Sequence, residues 1–186
     1  MNRRTGITLL ELIIAISLLG VLALAFTSIQ SFSQYHAIGS DRRAKVQNEL
    51  SFVLEHIAKN IQRASGDYNN PPIQTVANGF RVRVDVNTTP TPNTYADDTW
   101  YNYVLSGNTL SCNGEVLTTR LVSGTNSNYP TSAPAGRGFN FGLPDGGMTC
   151  LALMLRGRYF PANAVNIDNP ETMMGSRFCT ASSASK

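Results

Sequence analysis

Apolar residues fill the N-terminal part of this 186-residue chain almost without interruption. From Ile7 to Ile29 the one charged residue is Glu11, and two basic residues, Arg3 and Arg4, stand just before the run. About 20 apolar residues at a rise of 1.5 Å each cover the hydrocarbon core of a bilayer. The pattern therefore predicts a membrane-spanning helix over residues 7–29, with its N-terminus held on the cytoplasmic side by the arginines.

The next part of the helical pattern is apolar on one side only. Between residues 42 and 64 the apolar positions recur at steps of three and four and form one stripe: Val46, Leu50, Val53, Leu54, Ile57, Ala58 and Ile61. Ser65-Gly66 is expected to end the helix, and Pro71-Pro72 to prevent its resumption. Gly39-Ser40-Asp41 predicts a bend or brief interruption, because Gly is costly within a helix. We therefore expect an amphipathic half over residues 30–66, packed on a globular head over residues 67–186.

Short strands and turns are predicted within the head. Residues 80–86 alternate strictly, which places Phe80, Val82, Val84 and Val86 towards the helix. Segments 100–105 and 108–112 form a predicted hairpin, Asn113-Gly114 turns into segment 115–122, and residues 148–155 make a further apolar strand. Polar loops are expected at residues 87–98, 123–138 and 161–170. The predicted fold class is α+β, with an antiparallel β-sheet packed on the helix stripe.

The N-terminal pattern also fits an ordinary secretory signal peptide. Ala23-Leu24-Ala25 would serve as its cleavage site, and the mature chain would begin at Phe26. Two features argue against this alternative. Glu11 lies inside the apolar run, where a carboxylate costs up to about 2.5–3.5 kcal/mol, and helical periodicity continues past Ala25 to about Ala64. The carboxylate is therefore expected to have a positive partner.

Arg3-Arg4-Thr5-Gly6, followed by Ile7-Thr8-Leu9-Leu10-Glu11-Leu12, resembles the class III signal of type IV prepilins and type II secretion pseudopilins. The resemblance implies that a prepilin peptidase removes residues 1–6 by cutting between Gly6 and Ile7. The new amine of Ile7 would then be N-methylated. Glu11 would set the register of subunits in a filament by pairing with the Ile7 amine of a neighbour. Loss of either partner would leave a buried charge unpaired, at a cost of about 3–5 kcal/mol. The alternative that Glu11 merely snorkels at the membrane face stays open.

The chain is also similar, more loosely, to J-type minor pseudopilins and W-type minor pilins. Two segments carry this similarity: Asp41-Arg42-Arg43-Ala44-Lys45-Val46-Gln47-Asn48-Glu49-Leu50 with its continuation to Arg63, and Tyr103-Val104-Leu105-Ser106-Gly107-Asn108-Thr109-Leu110. The membrane half also lacks the helix-kinking proline frequent in major pilins. The similarity implies a structural, non-enzymatic subunit that primes or caps a type IV pilus or a type II secretion pseudopilus at or near its tip.

The same similarity implies partners and a location. The expected partners are the prepilin peptidase, other pilins or pseudopilins, and an assembly platform in the bacterial inner membrane. The head is expected in the periplasm while the N-terminus faces the cytoplasm, before the subunit enters the filament. The alternative function is a pilus-tip adhesin or a DNA-uptake receptor, for which Arg81 and Arg83 on one strand are the candidate contacts. Without such a function, the two arginines are expected to form a solvated strand face.

Charge and cysteine content restrict the chemistry of the chain. Loss of residues 1–6 leaves 13 basic and 12 acidic residues, a formal charge of +1, which argues against a general nucleic-acid surface. Three cysteines in an exported chain suggest one disulfide and a leftover thiol, or three free thiols. Spacing does not choose among the pairings. Cys150–Cys179 is preferred because it would tie the C-terminal segment to an earlier strand, and Cys112 would then be free.

No catalytic or metal site is predicted. His36 and His56 lie 20 residues apart in the predicted helix, hence about 30 Å apart, and both are expected to be solvated. Loop aspartates are candidates for calcium, as in some pseudopilin heads, but they lack the regular spacing of a calcium loop: Asp97, Asp98, Asp145 and Asp168. We therefore expect no cofactor, with calcium as the alternative.

Overall fold

The computed structural model describes residues 8–87, 91, 94–130 and 136–180. Within these residues one helix, α1 (Leu9–Gln62), precedes nine strands: β1 (Ile73–Val76), β2 (Gly79–Val84), β3 (Thr99–Ser106), β4 (Thr109–Cys112), β5 (Glu115–Thr118), β6 (Thr125–Asn126), β7 (Phe139–Gly142), β8 (Cys150–Gly157) and β9 (Thr172–Cys179). Strands β1–β5 form one antiparallel sheet in chain order, and β6–β9 form a second sheet. In the second sheet β6 and β7 are parallel and the other neighbours antiparallel. The α+β class is confirmed, with two sheets in the head.

Helix α1 is continuous through the segment where the sequence predicts a bend. It runs for 54 residues and includes Gly39, Ser40 and Asp41, so the predicted interruption is wrong. Its length is about 80 Å at 1.5 Å per residue. The helix ends at Gln62, and the N–H groups of Arg63 and Ala64 donate to the carbonyl oxygens of Asn60 and Ile61 respectively.

The predicted apolar stripe forms one side of the core. Val46, Leu50, Val53, Ile57 and Ile61 have no exposed surface, while Ala58 is half-buried. Opposite the stripe, four aromatic rings join the two sheets. The Phe80 ring of β2 lies 5.1–5.7 Å from its neighbours, measured between centroids: Tyr103, Phe139 and Phe141. The stripe prediction is confirmed, and Phe80 links the sheets at the centre of the core.

The predicted turns occur where the sequence places them. Gly107 turns from β3 into β4 with a φ of 59°, and Asn113 and Gly114 have φ values of 50° and 86° before β5. Positive φ at both central residues is the mark of a tight hairpin turn. Strand β2 ends at Val84, however, and Val86 is 44% exposed. The prediction that Val86 faces the helix is therefore wrong. Strand β6 lies within the predicted loop 123–138, where that prediction is also wrong, and strands β1, β7 and β9 had no sequence prediction.

The C-terminal strand β9 is an edge strand. In the described part of the chain its sheet neighbour is β8, and it also lies against α1. Cys150 at the start of β8 faces Cys179 at the end of β9, and the two form a disulfide. Cys112 is free and buried, and burial raises the pKa of its thiol. An edge strand has backbone hydrogen bonds to a neighbouring strand on one side only. The disulfide is a second link between β9 and β8.

The loop between β8 and β9 contacts α1 at Gly39. A Cβ atom on Gly39 would lie 2.4 Å from the carbonyl oxygen of Ile167, far inside contact distance. Beside it, Nη1 of Arg42 donates a hydrogen bond to the carbonyl oxygen of Asp168 at 2.8 Å, and its guanidinium lies 5.2 Å from the centre of the Phe160 ring. Gly39 therefore permits a close backbone approach between this loop and the helix.

Replacing Gly39 with alanine is expected to loosen this loop. Ala is favoured over Gly inside a helix by about 1 kcal/mol, yet its Cβ would overlap the Ile167 carbonyl, and relief of such overpacking costs about 1–3 kcal/mol. Amide hydrogen exchange of residues 160–170 in the detergent-solubilised chain should become faster. Gly20→Ala is the matched control, because a Cβ at Gly20 meets nothing within 4 Å. Unchanged exchange in Gly39→Ala would contradict this role.

Candidate functional site

The first described residues form a capping box at the start of α1. The Oγ1 atom of Thr8 accepts a hydrogen bond from the Glu11 N–H at 3.3 Å. Oε2 of Glu11 accepts in return from the Thr8 N–H at 2.8 Å and from the Thr8 hydroxyl at 2.9 Å. These bonds satisfy donors that the first helical turn leaves unpaired. This pair was not predicted from the sequence, although Thr-x-x-Glu is its recognisable pattern.

Glu11 therefore has a partner within its own chain. Its negative charge lies at the positive end of the helix dipole, where a carboxylate gains about 0.3–1 kcal/mol. A carboxylate offers about four acceptor positions, so the bonds to Thr8 leave room for a second donor. Gly6 and Ile7, the predicted cleavage and methylation residues, lie outside the described residues. Pairing between Glu11 and a neighbour's Ile7 amine stays a prediction.

The first 31 described residues expose their side chains on all sides of α1. Every residue from Thr8 to Ile38 is exposed, including large apolar side chains such as Leu9 at 77%, Leu24 at 71% and Phe26 at 68%. Monomeric soluble proteins rarely leave contiguous apolar patches of more than a few hundred Å² in water. By length and composition α1 can cross a membrane. This half of the helix therefore requires a lipid or protein environment.

The two strand arginines are held within the head. Arg83 is 4% exposed; its Nε donates to the carbonyl oxygen of Ser65 at 3.0 Å, and its Nη2 donates to that of Asn70. Arg81 donates to Oε1 of Gln74 and stacks over Trp100 at 4.2 Å from the ring centre. The expectation of a solvated arginine face is wrong for Arg83, because the connection between α1 and β1 folds over it.

The two histidines occupy different environments. His36 is exposed, and its ring lies 4.2 Å from that of Phe32. His56 is half-buried, with Nδ1 3.1 Å from the hydroxyl of Tyr103, which also accepts a hydrogen bond from Nδ2 of Asn60 at 2.6 Å. The expectation of a solvated side chain is therefore wrong for His56. It completes a buried polar network between the helix and β3.

Two of the four candidate calcium ligands stand before β3. Oδ2 of Asp97 accepts hydrogen bonds from Asn87 and Thr91. The Asp98 side chain has no exposed surface and lies 3.5 Å from Nε of Arg83, and burial raises the pKa of its carboxyl. Among the described residues no group of three or more His, Cys, Asp or Glu side chains is arranged to hold a metal ion. Calcium binding stays a prediction.

Asp145 and Asp168 belong to other loops. Oδ2 of Asp145 accepts from the N–H groups of Thr149 at 2.8 Å and Cys150 at 3.0 Å, and Oδ1 accepts from Gly147 at 3.2 Å. Asp145 thereby shapes the turn that leads into β8 and the disulfide. Oδ1 of Asp168 is buried, with no hydrogen-bond partner in the described part of the chain.

Asp145 is expected to make the head sensitive to acid. Burial by itself raises the pKa of this carboxyl, but hydrogen bonds from Thr149 and Gly147 outweigh it and hold the pKa below its ordinary value. A lowered pKa stabilises the fold above about pH 4, the unfolded value, and this contribution is lost as pH falls through the folded value. Asp145→Asn should cost about 1–3 kcal/mol at neutral pH. Its difference from wild type in denaturant unfolding should shrink in acid; a constant difference would contradict this.

Comparison with known proteins gives a family match for the N-terminal part of the chain. Residues 1–27 match the family model of the prokaryotic N-terminal methylation motif. Neither a search of curated proteins nor a search of solved structures finds a match to the chain. The matched segment contains Gly6, Ile7 and the Thr8–Glu11 capping box, and it continues into the exposed apolar part of α1. Such a motif implies processing by a prepilin peptidase and assembly with other pilins.

The chain therefore carries a prokaryotic N-terminal methylation motif at the start of a helix long and apolar enough to cross a membrane, an arrangement consistent with a type IV pilin or pseudopilin precursor.

Proposed function

We propose that this chain is a minor pilin or minor pseudopilin, a structural subunit of a type IV pilus or of a type II secretion pseudopilus. The observation that carries the proposal is the methylation motif at residues 1–27, which runs into a helix exposing apolar side chains from Leu9 to Ile38. A helix that is apolar on all sides can lie in the bilayer before assembly and in the packed core of the filament after assembly. The head stays outside both.

The assignment to a minor subunit near the tip rests on two further features. Helix α1 has no break in its membrane half, unlike the kinked helices of many major pilins. The segments similar to J-type and W-type subunits, residues 41–50 and 103–110, supply the helix–sheet interface through Val46, Leu50 and Tyr103. They support a role as initiator or cap of the filament, with the inner-membrane assembly platform as partner.

The alternative of a DNA-uptake receptor gains no support from the arginines that suggested it. Arg83 is buried and Arg81 is engaged by Gln74 and Trp100. Contacts to DNA phosphates need exposed cations that displace the counterions condensed on the DNA. A filament subunit is therefore the one function we propose.

Mass spectrometry of the mature chain tests the proposal. Protein purified from the membranes of its natural host should begin at Ile7 and carry an added methyl group on its amine. Cleavage as an ordinary signal peptide would instead yield an unmethylated chain beginning at Phe26, without the apolar half of α1. That second product would overturn the proposed function, because the chain would then lack both the membrane anchor and Glu11.

A further inference from the structure

Strand β9 directs part of its backbone away from the sheet. Just beyond the Cys150–Cys179 pair, the Thr180 N–H donates to the carbonyl oxygen of Thr149 at 2.7 Å. In an antiparallel ladder, residues that bond to the neighbouring strand alternate with residues whose backbone groups point to the other side. Every second residue of β9 therefore has its N–H and C=O groups on the side away from β8: Met173, Gly175, Arg177 and Cys179.

The outward side of β9 is open to solvent. All four of its outward residues are exposed, and the exposed surface of Gly175 is backbone surface, because glycine has no side chain. No described backbone group hydrogen-bonds to this side of the strand. Helix α1 lies against one face of β9, where Oγ of Ser51 contacts Sδ of Met174 at 3.7 Å. The helix therefore covers a face of the strand and leaves its edge free.

The edge formed by β1 in the first sheet is protected by contrast. Strand β1 has four residues, and the Ile73 N–H on its outer side donates to the carbonyl oxygen of Gly147 at 3.1 Å. Proteins usually shorten, charge or cover their edge strands, because a bare edge pairs with other chains. Strand β9 has eight residues, no proline and one charged residue, Arg177. A long open edge of this kind can accept an added strand from another chain.

The charges beside β9 favour an acidic strand. Arg177 is exposed and forms no ion pair among the described residues. Arg156 and Arg158, at the end of β8, share one carboxylate, that of Glu171, at 3.1 and 2.6 Å. Three arginines thus stand against one glutamate. Opposite charges on neighbouring strands contribute about 0.2–1 kcal/mol, and like charges are destabilising. Two copies of β9 paired edge to edge would bring these basic groups together, so the charges favour a different chain.

We propose that β9 accepts an extended segment of a neighbouring pilin-like subunit, which adds as a further strand of the second sheet and places an acidic side chain beside Arg177. Hydrogen bonds to the outward backbone groups of β9 hold the segment, and Arg177 selects it. The inference rests on the proposed function as a filament subunit, and it gives the chemistry of one contact that the head makes with its neighbour.

Amide hydrogen exchange, read at single residues by mass spectrometry, tests this contact in the full-length chain. The outward N–H groups of Met173, Gly175 and Arg177 should exchange fast in the detergent-solubilised protein. In filaments sheared from the natural host they should exchange at least about tenfold more slowly, because hydrogen bonds to the added strand then hold them. The N–H groups of Met174 and Ser176 are the internal controls, because they bond to β8 and should be protected in both samples.

Met173→Pro tests the edge by mutation. Proline is tolerated on an edge strand where the N–H faces solvent, so the variant should match Met173→Ala in denaturant unfolding. Its ratio of subunit in filaments to subunit in membranes should nevertheless fall about tenfold below that of Met173→Ala, which keeps the N–H. Arg177→Glu should lower the same ratio by about two- to fivefold, and Arg177→Lys should stay near wild type.

Each contrary result has a distinct meaning. Fast exchange of the outward amides in filaments that contain the subunit would overturn the added strand and leave the proposed function intact, whereas absence of the wild-type subunit from filaments would overturn the proposed function. Lower stability of Met173→Pro than of Met173→Ala would contradict the open edge. Protection that rises with concentration in the purified chain, or normal assembly of Arg177→Glu, would overturn the acidic partner; the first of these results would identify a second copy as the occupant.

Discussion

Glu11→Gln should nearly abolish incorporation of the subunit into filaments while leaving membrane insertion and cleavage intact. Gln at this position also completes a capping box, so the variant keeps the bonds with Thr8 and removes only the charge. A neighbouring Ile7 amine buried without its partner costs about 3–5 kcal/mol. That cost lowers the assembly equilibrium by more than about a hundredfold. The measurement is the ratio of subunit in sheared filaments to subunit in membranes.

Thr8→Ala is the matched variant for the local role of Glu11. It removes the hydroxyl that caps α1, at a cost of about 1 kcal/mol, and leaves the carboxylate in place. Incorporation should therefore fall by about fivefold or less. If Glu11→Gln assembles like wild type while Thr8→Ala does not, the carboxylate serves the helix cap and the predicted pairing with the neighbouring amine is wrong.

Removal of the disulfide should give the largest loss of stability in the head. Cys150 and Cys179 are separated by 29 residues, and closing a loop of that size removes conformational freedom from the unfolded chain worth roughly 3–4 kcal/mol. The effect should be strong here because β9 is an edge strand with most of its residues exposed. Denaturant unfolding of the oxidised wild type and of the Cys150→Ala/Cys179→Ala double variant measures the difference.

Reduction provides the control for this comparison. Wild-type protein in reductant should fall to the stability of the double variant, whereas the double variant should not respond to reductant. The buried Cys112 is left unchanged in both proteins. Equal stability of the oxidised wild type and the double variant would show that the backbone ladder between β8 and β9 holds the strand without the disulfide.

Local patterns were sufficient for the helix and for part of the first sheet. The stripe from Val46 to Ile61 was predictable because side chains three and four residues apart share one helix face. The turns at Gly107 and Asn113-Gly114 were predictable because positive φ selects for these residues. Strands β1, β6, β7 and β9 were not, because they are short or largely exposed and their partners come from elsewhere in the chain.

Gly39 and Arg83 show why the remaining features could not be predicted. A glycine that bends a helix and a glycine that admits a neighbouring backbone look the same in a sequence, and Ile167, which decides between them, lies 128 positions later. An arginine between two valines indicates a solvated face until residues 65–70 fold over it. Burial of a polar residue depends on a covering segment, which periodicity along its own strand does not reveal.

The sequence by itself determined the methylation motif, the apolar and amphipathic halves of one helix, the α+β class and the two hairpin turns, because each rests on residues within a few positions of one another. Only the tertiary structure decided that the loop between β8 and β9 rests on α1 at Gly39, that Arg83 is buried, and that Phe80 joins the two sheets. These features depend on contacts between segments that are far apart in the sequence. Such contacts form only when folding brings those segments together.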